Sequence, residues 1–474
     1  MNTPQAIHVL DAFRQEAYQR VLLMRRDALF ELVEARLTAP EPSSLVRLSL
    51  SPFFQRQWPS APDALAAGRL DENALRRLIG AQVPFPPPAE RAVWALDGTV
   101  WPRPKAETSP ERTYGHWTSK GIPQEGVIPS WEYQWLGIVP PSTGASATSG
   151  SWYLPLDVVR RAPGAGTPTL LAVAQIRRAL GVLPEGYPRP IVTFDSNFDV
   201  TELGLAIQVG SGTAPGKEER LAVDALVRLN PRRRFYRRAG AYSGKGRRPI
   251  HGRPFRLPEI AARPLETLSP EDAPDRAVWF RDPSHGLVTI AEWQDLHPYG
   301  GKGLDCLSLS VIRVQVERLS RSQKRPKPLW LCWISLEPLP DLRLAWAWYR
   351  RRFVCEHGFR FFKQSLGWTT VRPRWPRAAD LWTWLIVLVV WQLWLAKDVV
   401  ADQRLPWEKE VALGQLSPGR VRRAIGPILA ALSHPQAPPQ RRGKSPGRAI
   451  GCCPGCRDRY KVVKSPKKAA KSPA

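Results

Sequence analysis

The chain has 474 residues, enough for two or three domains and a sizeable core. Its 69 Lys and Arg outweigh 42 Asp and Glu, giving a formal net charge of +27, and most of the basic residues are Arg, which suits bidentate phosphate contacts. That excess points to a polyanionic partner, leaves a ribosome-associated or merely basic protein as the bland alternative, and is silent on catalysis.

The cysteines (Cys306, Cys332, Cys355, Cys452, Cys453 and Cys456) form no even framework, and MNTPQAIHVLDAFRQEA lacks a basic-then-apolar signal pattern. A reducing, cytoplasmic setting is expected. Residues 1–90 read as a helical region, with apolar residues at helical spacing over 13–37 and a second helix at DENALRRLIG (71–80). VPFPPPAE (83–90) reads as a linker, because Pro continues neither a helix nor a sheet interior.

RAVWALDGTV (91–100) predicts a buried strand ending in Asp and Gly, and WEYQWLGIV (131–139) and SWYLPLDVV (151–159) predict two more. An amphipathic helix over 167–181, closed by Gly181, precedes another buried strand, RPIVTFDSN (189–197). TELGLAIQVG (201–210) predicts a helix with Thr201 as N-cap, and LAVDALVRL (221–229) a further strand. Three strands, helix, strand, helix, strand is the order of a ribonuclease-H-like sheet. The expected fold is therefore α/β, a mixed sheet flanked by helices. Its first part would occupy 91–237, a β-rich insertion 238–326, and the closing helices 327–400.

The segment 381–396 is apolar, but its 16 residues fall short of the ~20 needed to span a bilayer. It is studded with Trp and followed by Lys397 and Asp398, so a buried core helix and no membrane association are expected. Residues 401–474 read as a basic C-terminal region, with a disordered Pro-, Lys- and Ser-rich tail from about 435.

The richest stretch for chemistry is WAWYRRRFVCEHGFRFFKQSLGW (346–368). On one regular helix Tyr349, Arg352, Glu356 and Lys363 fall within roughly 60° of one another. Trp348, Cys355, Phe359, Phe362 and Leu366 form an apolar stripe beside them. An ordinary Arg352–Glu356 i,i+4 pair is the bland alternative. Asp97 and Asp195 end predicted strands that neighbour each other in such a sheet, so Asp97, Asp195 and Glu356 can converge. Crowded carboxylates call for a bound cation, and hard oxygen ligands suit Mg²⁺. Two such ions, with Mn²⁺ able to substitute, would activate an attacking oxygen and stabilise a leaving one.

The Tyr349–Arg352–Glu356–Lys363 spacing resembles the Y-R-E-K signature of bacterial insertion-sequence transposases of the DD(E) class, over about 90–400. The β-rich insertion before the Glu helix strengthens that resemblance. It implies a metal-dependent cut-and-paste activity on double-stranded DNA, acting on element terminal repeats and target DNA in a homodimeric synaptic complex within the bacterial nucleoid. It also implies that Tyr349, Arg352 and Lys363 contact phosphates, and that a Trp of the insertion stacks a flipped base. Trp293 is one candidate, with Trp279, Trp330 and Trp333 competing. Arginines around two aromatics in PRRRFYRR (231–238), Arg234 among them, suggest a phosphate-tracking edge or a solvated charge run.

Two further readings remain: a simple nuclease of the same fold, and a decayed or domesticated DNA-binding protein without catalysis. Cys452, Cys453 and Cys456 resemble half a zinc knuckle without a partner pair. His116 and His357 are more suited to DNA or structural contacts than to metal.

Overall fold

The computed structural model describes residues 3–117, 126–141, 151–210, 220–242, 244, 246, 249–300, 304–319, 326–412, 414–440, 447, 449–452 and 455–464. The N-terminal region comprises helices α1 (Thr3–Glu16), α2 (Arg26–Thr38), α3 (Leu45–Leu48), α4 (Ser60–Ala67) and α5 (Glu72–Gly80), with a small ribbon of β1 (Leu22–Met24) and β2 (Arg69–Leu70). The stretch 13–37 is not one helix. A π-turn over Ala17–Val21, strand β1 and a left-handed Arg25 (φ 56°) divide it. Its apolar spacing was right for each half, but Val21 hydrogen-bonds through its carbonyl to Asp71, which draws the intervening backbone into the ribbon.

The central sheet holds twelve strands. They are β3 (Val93–Pro102), β4 (Thr113–Trp117), β5 (Gly126–Val139), β6 (Leu154–Arg160), β7 (Ile191–Phe194), β8 (Asp224–Arg228), β9 (Arg234–Arg238), β10 (His251–Arg256), β11 (Arg276–Asp282), β12 (Gly286–Pro298), β13 (Leu309–Val316) and β14 (Leu329–Ile334). Helices α6 (Pro168–Leu180), α7 (Val200–Gly204) and α8 (Leu257–Ala261) lie between strands. After β14 come α9 (Leu342–Arg351), α10 (Phe353–Arg360), α11 (Pro376–Ala396), α12 (Pro418–Ala424) and α13 (Gly426–Ala431).

Strands β6, β5, β3, β7 and β8 are neighbours in that order. The first two pairings are antiparallel and the last two parallel. Helix α6 makes the crossover from β6 to β7, and α7 that from β7 to β8, so the chain follows the expected order of three strands, helix, strand, helix, strand. The short β4, unpredicted because only five residues of mixed exposure mark it, pairs outside β5. Helix α7 starts two residues before expectation. Its N-cap is Asp199, which accepts from the backbone of Thr201 and Glu202, rather than Thr201.

The β-rich segment 238–326 adds its strands to the core sheet. β14 pairs antiparallel with β8, β13 with β14 and β12 with β13, so the core sheet continues through it. The two faces of β5 show why both sides of the sheet are covered. Trp131, Tyr133 and Trp135 point to the α10–α11 side, where Trp135 meets Phe362 at 5.0 Å and Tyr133 donates to Asp380 of α11. Gln134, on the other face, bonds Gln175 of α6.

Helix α11 has 21 residues, more than expected, and is long and apolar enough to cross a membrane. It is instead buried against α1, α2 and β6, its Trp391 indole donating to the carbonyl of Pro155. Part of the C-terminal tail is also ordered, contrary to expectation. Tyr460 and Val463 donate backbone hydrogen bonds to Glu107 and Arg112, and Val463 bridges Thr113 at the β4 edge.

Candidate active site

Register brings the two aspartates together. Leu96 of β3 pairs with Phe194 of the parallel β7, so Asp97 and Asp195 are the next residues on adjacent strands. Asp195 directly follows β7, as expected. Asp97 does not end its strand, which runs on to Pro102, because Thr99, Val100 and Trp101 keep their ladder with β5.

Arg352 stands between them. Its Nη1 donates to Asp97 Oδ2 at 2.7 Å, and its Nη2 lies 3.8 Å from Asp195 Oδ1. Arg228, at the end of β8, approaches the same Asp195 oxygen at 3.7 Å. That oxygen is buried and makes no hydrogen bond among the described residues. Asp97 Oδ1 accepts from the Gly98 amide at 2.7 Å.

Burial pushes the Asp97 carboxyl above its usual range, with Asp195 adding to the shift and Arg352 opposing it. The Glu356 carboxyl is likewise raised, first by partial desolvation and then by Asp97 and Asp195, against the pull of Arg352. The three acids therefore feel one another's charge. Burial disfavours the charge on Arg352, but Asp97, Tyr349 and Asp195 outweigh it and hold the guanidinium firmly protonated.

The segment carrying these groups is not one regular helix. α9 ends at Arg351, the Arg352 amide bonds back three residues to Tyr349, and α10 resumes at Phe353 before a π-turn over Phe361–Ser365. The break leaves Arg352 buried toward Asp97 and Glu356 at the surface. The apolar stripe behaves as patterned, with Trp348, Cys355, Phe359, Phe362 and Leu366 all buried.

Gly358 permits the close approach of α10 to the sheet, since a Cβ there would lie 2.6 Å from Tyr153 Cβ. Replacing an exposed helical Gly by Ala stabilises a helix by about 1 kcal/mol. Here Gly358→Ala is expected to destabilise by about 1–3 kcal/mol through overpacking. A urea-denaturation series checks the sign.

Next to the acids opens a cavity of about 630 Å³, lined by Gly98, Thr99, Trp117, Glu132, Arg360 and Lys363 among others. Lys363 donates to Thr99 Oγ1 at 2.5 Å and sits 4.8 Å from the Trp117 ring centre. Burial lowers its ammonium to about 8. Tyr349 is packed beside Arg352, and its buried hydroxyl makes no hydrogen bond among the described residues. His116 lines the cavity, whereas His357 packs edge-on to Phe353.

Glu132, Arg228 and Trp117 were not anticipated. Glu132 sits within the apolar run WEYQWLGIV, where its alternation with Trp131 and Tyr133 was the available signal. It pairs with Arg161 at 2.7 Å, and burial raises its carboxyl.

Trp293 does not serve as an open stacking surface. It is wholly buried in the inner face of β12, its indole donating to the carbonyl of Asp272 at 2.8 Å. Trp330 and Trp333 are buried too, and of the competing tryptophans Trp279 alone is exposed, at 51%. Arg234 is exposed on β9. Cys452 and Cys456 are exposed, and Cys453 lies outside the described residues. Among the described residues no three His, Cys, Asp or Glu side chains stand at metal-holding separations.

No curated protein matches the chain. Among solved structures it is similar to a piggyBac transposase synaptic complex with hairpin DNA, at 11% identity and a TM-score of 0.39, over 94% of this chain and 86% of that one. The DDE superfamily endonuclease family matches residues 18–285, a span that contains Asp97 and Asp195 and ends before Glu356. With more than half of its length so matched, the chain belongs to the DDE superfamily endonucleases.

Proposed function

We propose that this endonuclease is a DNA transposase of the DD(E) type, with a ribonuclease-H-like core carrying Asp97, Asp195 and Glu356. The observation that carries the reading is the register-matched pair Asp97 and Asp195, bridged by a buried arginine and sensing Glu356.

The donor chemistry fits a hard divalent cation: adjacent oxygen donors on Asp97 and Asp195, and an Asp195 oxygen that is buried without a hydrogen bond among the described residues. Asp97 and Asp195, with Glu356 drawn in from the surface of α10, would hold Mg²⁺, with Mn²⁺ able to substitute. Two bound ions would supply Lewis-acid polarisation of a phosphate oxygen and a deprotonated attacking oxygen. Arg352 spans the two aspartates and neutralises them until a cation is held there. Lys363, on the wall of the adjoining cavity, is placed to hold a phosphate, and its ammonium is close enough to neutral pH to be sensitive to that contact. Tyr349 packs Arg352 from the side.

The reaction would be hydrolysis of a phosphodiester at an element end, followed by attack of the freed 3′-OH on target DNA. The expected partners are terminal repeats and target duplex in a homodimeric complex, in a bacterial nucleoid setting, with an insertion-sequence origin suggested by the Y-R-E-K spacing.

The test is Mg²⁺- or Mn²⁺-dependent cleavage of duplex DNA carrying the sequences that flank the gene, comparing the wild-type chain with Glu356→Ala. Cleavage and joining by the wild type alone support the reading. Equal activity in both removes Glu356 from the chemistry. Binding without cleavage by either turns the reading to a non-catalytic DNA-binding protein, and cleavage without joining to a simple nuclease.

A further inference from the structure

At the far end of the sheet, β9, β10 and the last residues of β12 form a three-stranded corner. Tyr236 stands opposite Pro254 on one side and His297 on the other. Directly opposed residues of antiparallel strands share a face, and the next residue along each strand lies on the opposite one. Phe235, Phe255 and Pro298 thus form the inner face, buried, with Phe255 against Trp293 at 5.3 Å.

The outer face carries Arg234, Tyr236 and Arg238 from β9 and His251 and Arg256 from β10, with Tyr299 directly after β12. Its rings form a mutual trio: Tyr236 lies 4.9 Å from His251 and 5.5 Å from Tyr299, and His251 lies 5.3 Å from Tyr299. They cover a fourth ring on the same face, that of His297 opposite Tyr236. The buried His297 stacks under His251 at 5.1 Å, with the two imidazole nitrogens 2.9 Å apart. Tyr299 is 66% exposed.

Guanidiniums surround the rings. Arg238 is braced by Asp295 at 2.8 Å and Arg256 by Glu259 at 2.8 Å, while Arg234 is exposed and forms no ion pair among the described residues. A rigid set of rings with three arginines suits a strand that offers both bare base faces and phosphates. In a duplex the base faces are hidden in the stack.

We propose that this face binds single-stranded DNA, its unpaired bases stacking on Tyr236, His251 and Tyr299 and its phosphates meeting Arg234, Arg238 and Arg256. This goes beyond the transposase reading and does not require the carboxylate site to act.

The test uses the full chain and fluorescence anisotropy with labelled oligo(dT) of about twelve nucleotides, a duplex of equal length, and oligo(U). Tyr299→Ala is expected to weaken oligo(dT) binding about tenfold, and Tyr236→Leu combined with it further, because each stacked base contributes on that scale. Duplex affinity should be unchanged, and Tyr299→Phe should bind like the wild type. Equal losses on oligo(dT) and duplex, or no loss on either, overturn the proposal. Tighter binding of oligo(U) than of oligo(dT) overturns the assignment to DNA. If the double variant fails to fold, photocrosslinking of a 5-iododeoxyuridine oligonucleotide to the wild-type chain decides. Adducts on Tyr236, His251 or Tyr299 support the site, and adducts only elsewhere overturn it.

Discussion

Asparagine in place of Asp97 or Asp195 is expected to lower Mg²⁺-dependent cleavage about a thousandfold or more. Lewis-acid stabilisation by a bound cation is worth several kcal/mol, and each ~1.4 kcal/mol is a factor of ten in rate. Asparagine keeps an acceptor for Arg352, whose Nη1 lies 2.7 Å from Asp97, and one aspartate charge remains beside it in either variant, so the chain should stay folded with a far smaller loss of stability than of rate. Cleavage within tenfold of the wild type by both variants would sink the metal assignment.

The same geometry makes a companion prediction that needs no turnover. The guanidinium already neutralises Asp97, so a divalent ion has to compete with it. Arg352→Gln is expected to bind Mn²⁺ at least about tenfold more tightly than the wild type without DNA, since close charge pairs couple by more than 1 kcal/mol. Free Mn²⁺ counted by electron paramagnetic resonance reads this directly. Equal affinity would show that Arg352 does not hold the cation's place.

Asp157→Ala is expected to cost about 3–5 kcal/mol of folding stability, the range found when one partner of a buried ion pair is removed. Asp157 is wholly buried on β6. Its carboxylate accepts from Arg76 Nε of α5 at 2.9 Å and from Arg178 Nη2 of α6 at 2.7 Å, tying both helices to one strand. Arg76 is itself buried and packs its guanidinium on the Trp384 ring at 4.9 Å, so it cannot turn to water when the carboxylate is gone. Glu72 retains a bond to it at 2.9 Å, which places the expected cost toward the lower end. Asp157→Asn should fall between alanine and wild type. Urea midpoints for the three chains, at unchanged m-value, measure the difference.

The order of elements around Asp97 and Asp195 was legible because each strand there is a short apolar run bounded by turn residues, and both faces of the sheet are covered. Local pattern did not show which strands meet across long distances. The pairing of β14 with β8, onto which the strands of the β-rich segment build, depends on contacts about a hundred residues apart. The Trp residues illustrate the limit more sharply. Trp279 and Trp293 both sit in strand-like runs of mixed polarity, and only the register of β11 with β12 and the packing of β12 on Phe255 and Trp330 decide that one is exposed and the other buried. The polar face of 346–368 was visible, but the break at Arg352 was not, since every residue around it is a competent helix former. At the break Arg352 pairs with Asp97, a partner 255 residues away that no local pattern shows.

The run of paired strands, which turns its corner at the bulge in β12, also acts as a ruler. From β3, which bears Asp97, to β9, which bears Tyr236, there are six strand-to-strand steps through β7, β8, β14, β13 and β12. At about 4.8 Å per step the two lie roughly 29 Å apart along the sheet, with hydrogen bonds rather than a hinge between them. One DNA strand carries a phosphate about every 3.4 Å, so about nine nucleotides cover that distance. Under both proposals a strand shorter than this would reach the acids or the tyrosines but not both, and the length of a bound end would be measured by the width of a sheet.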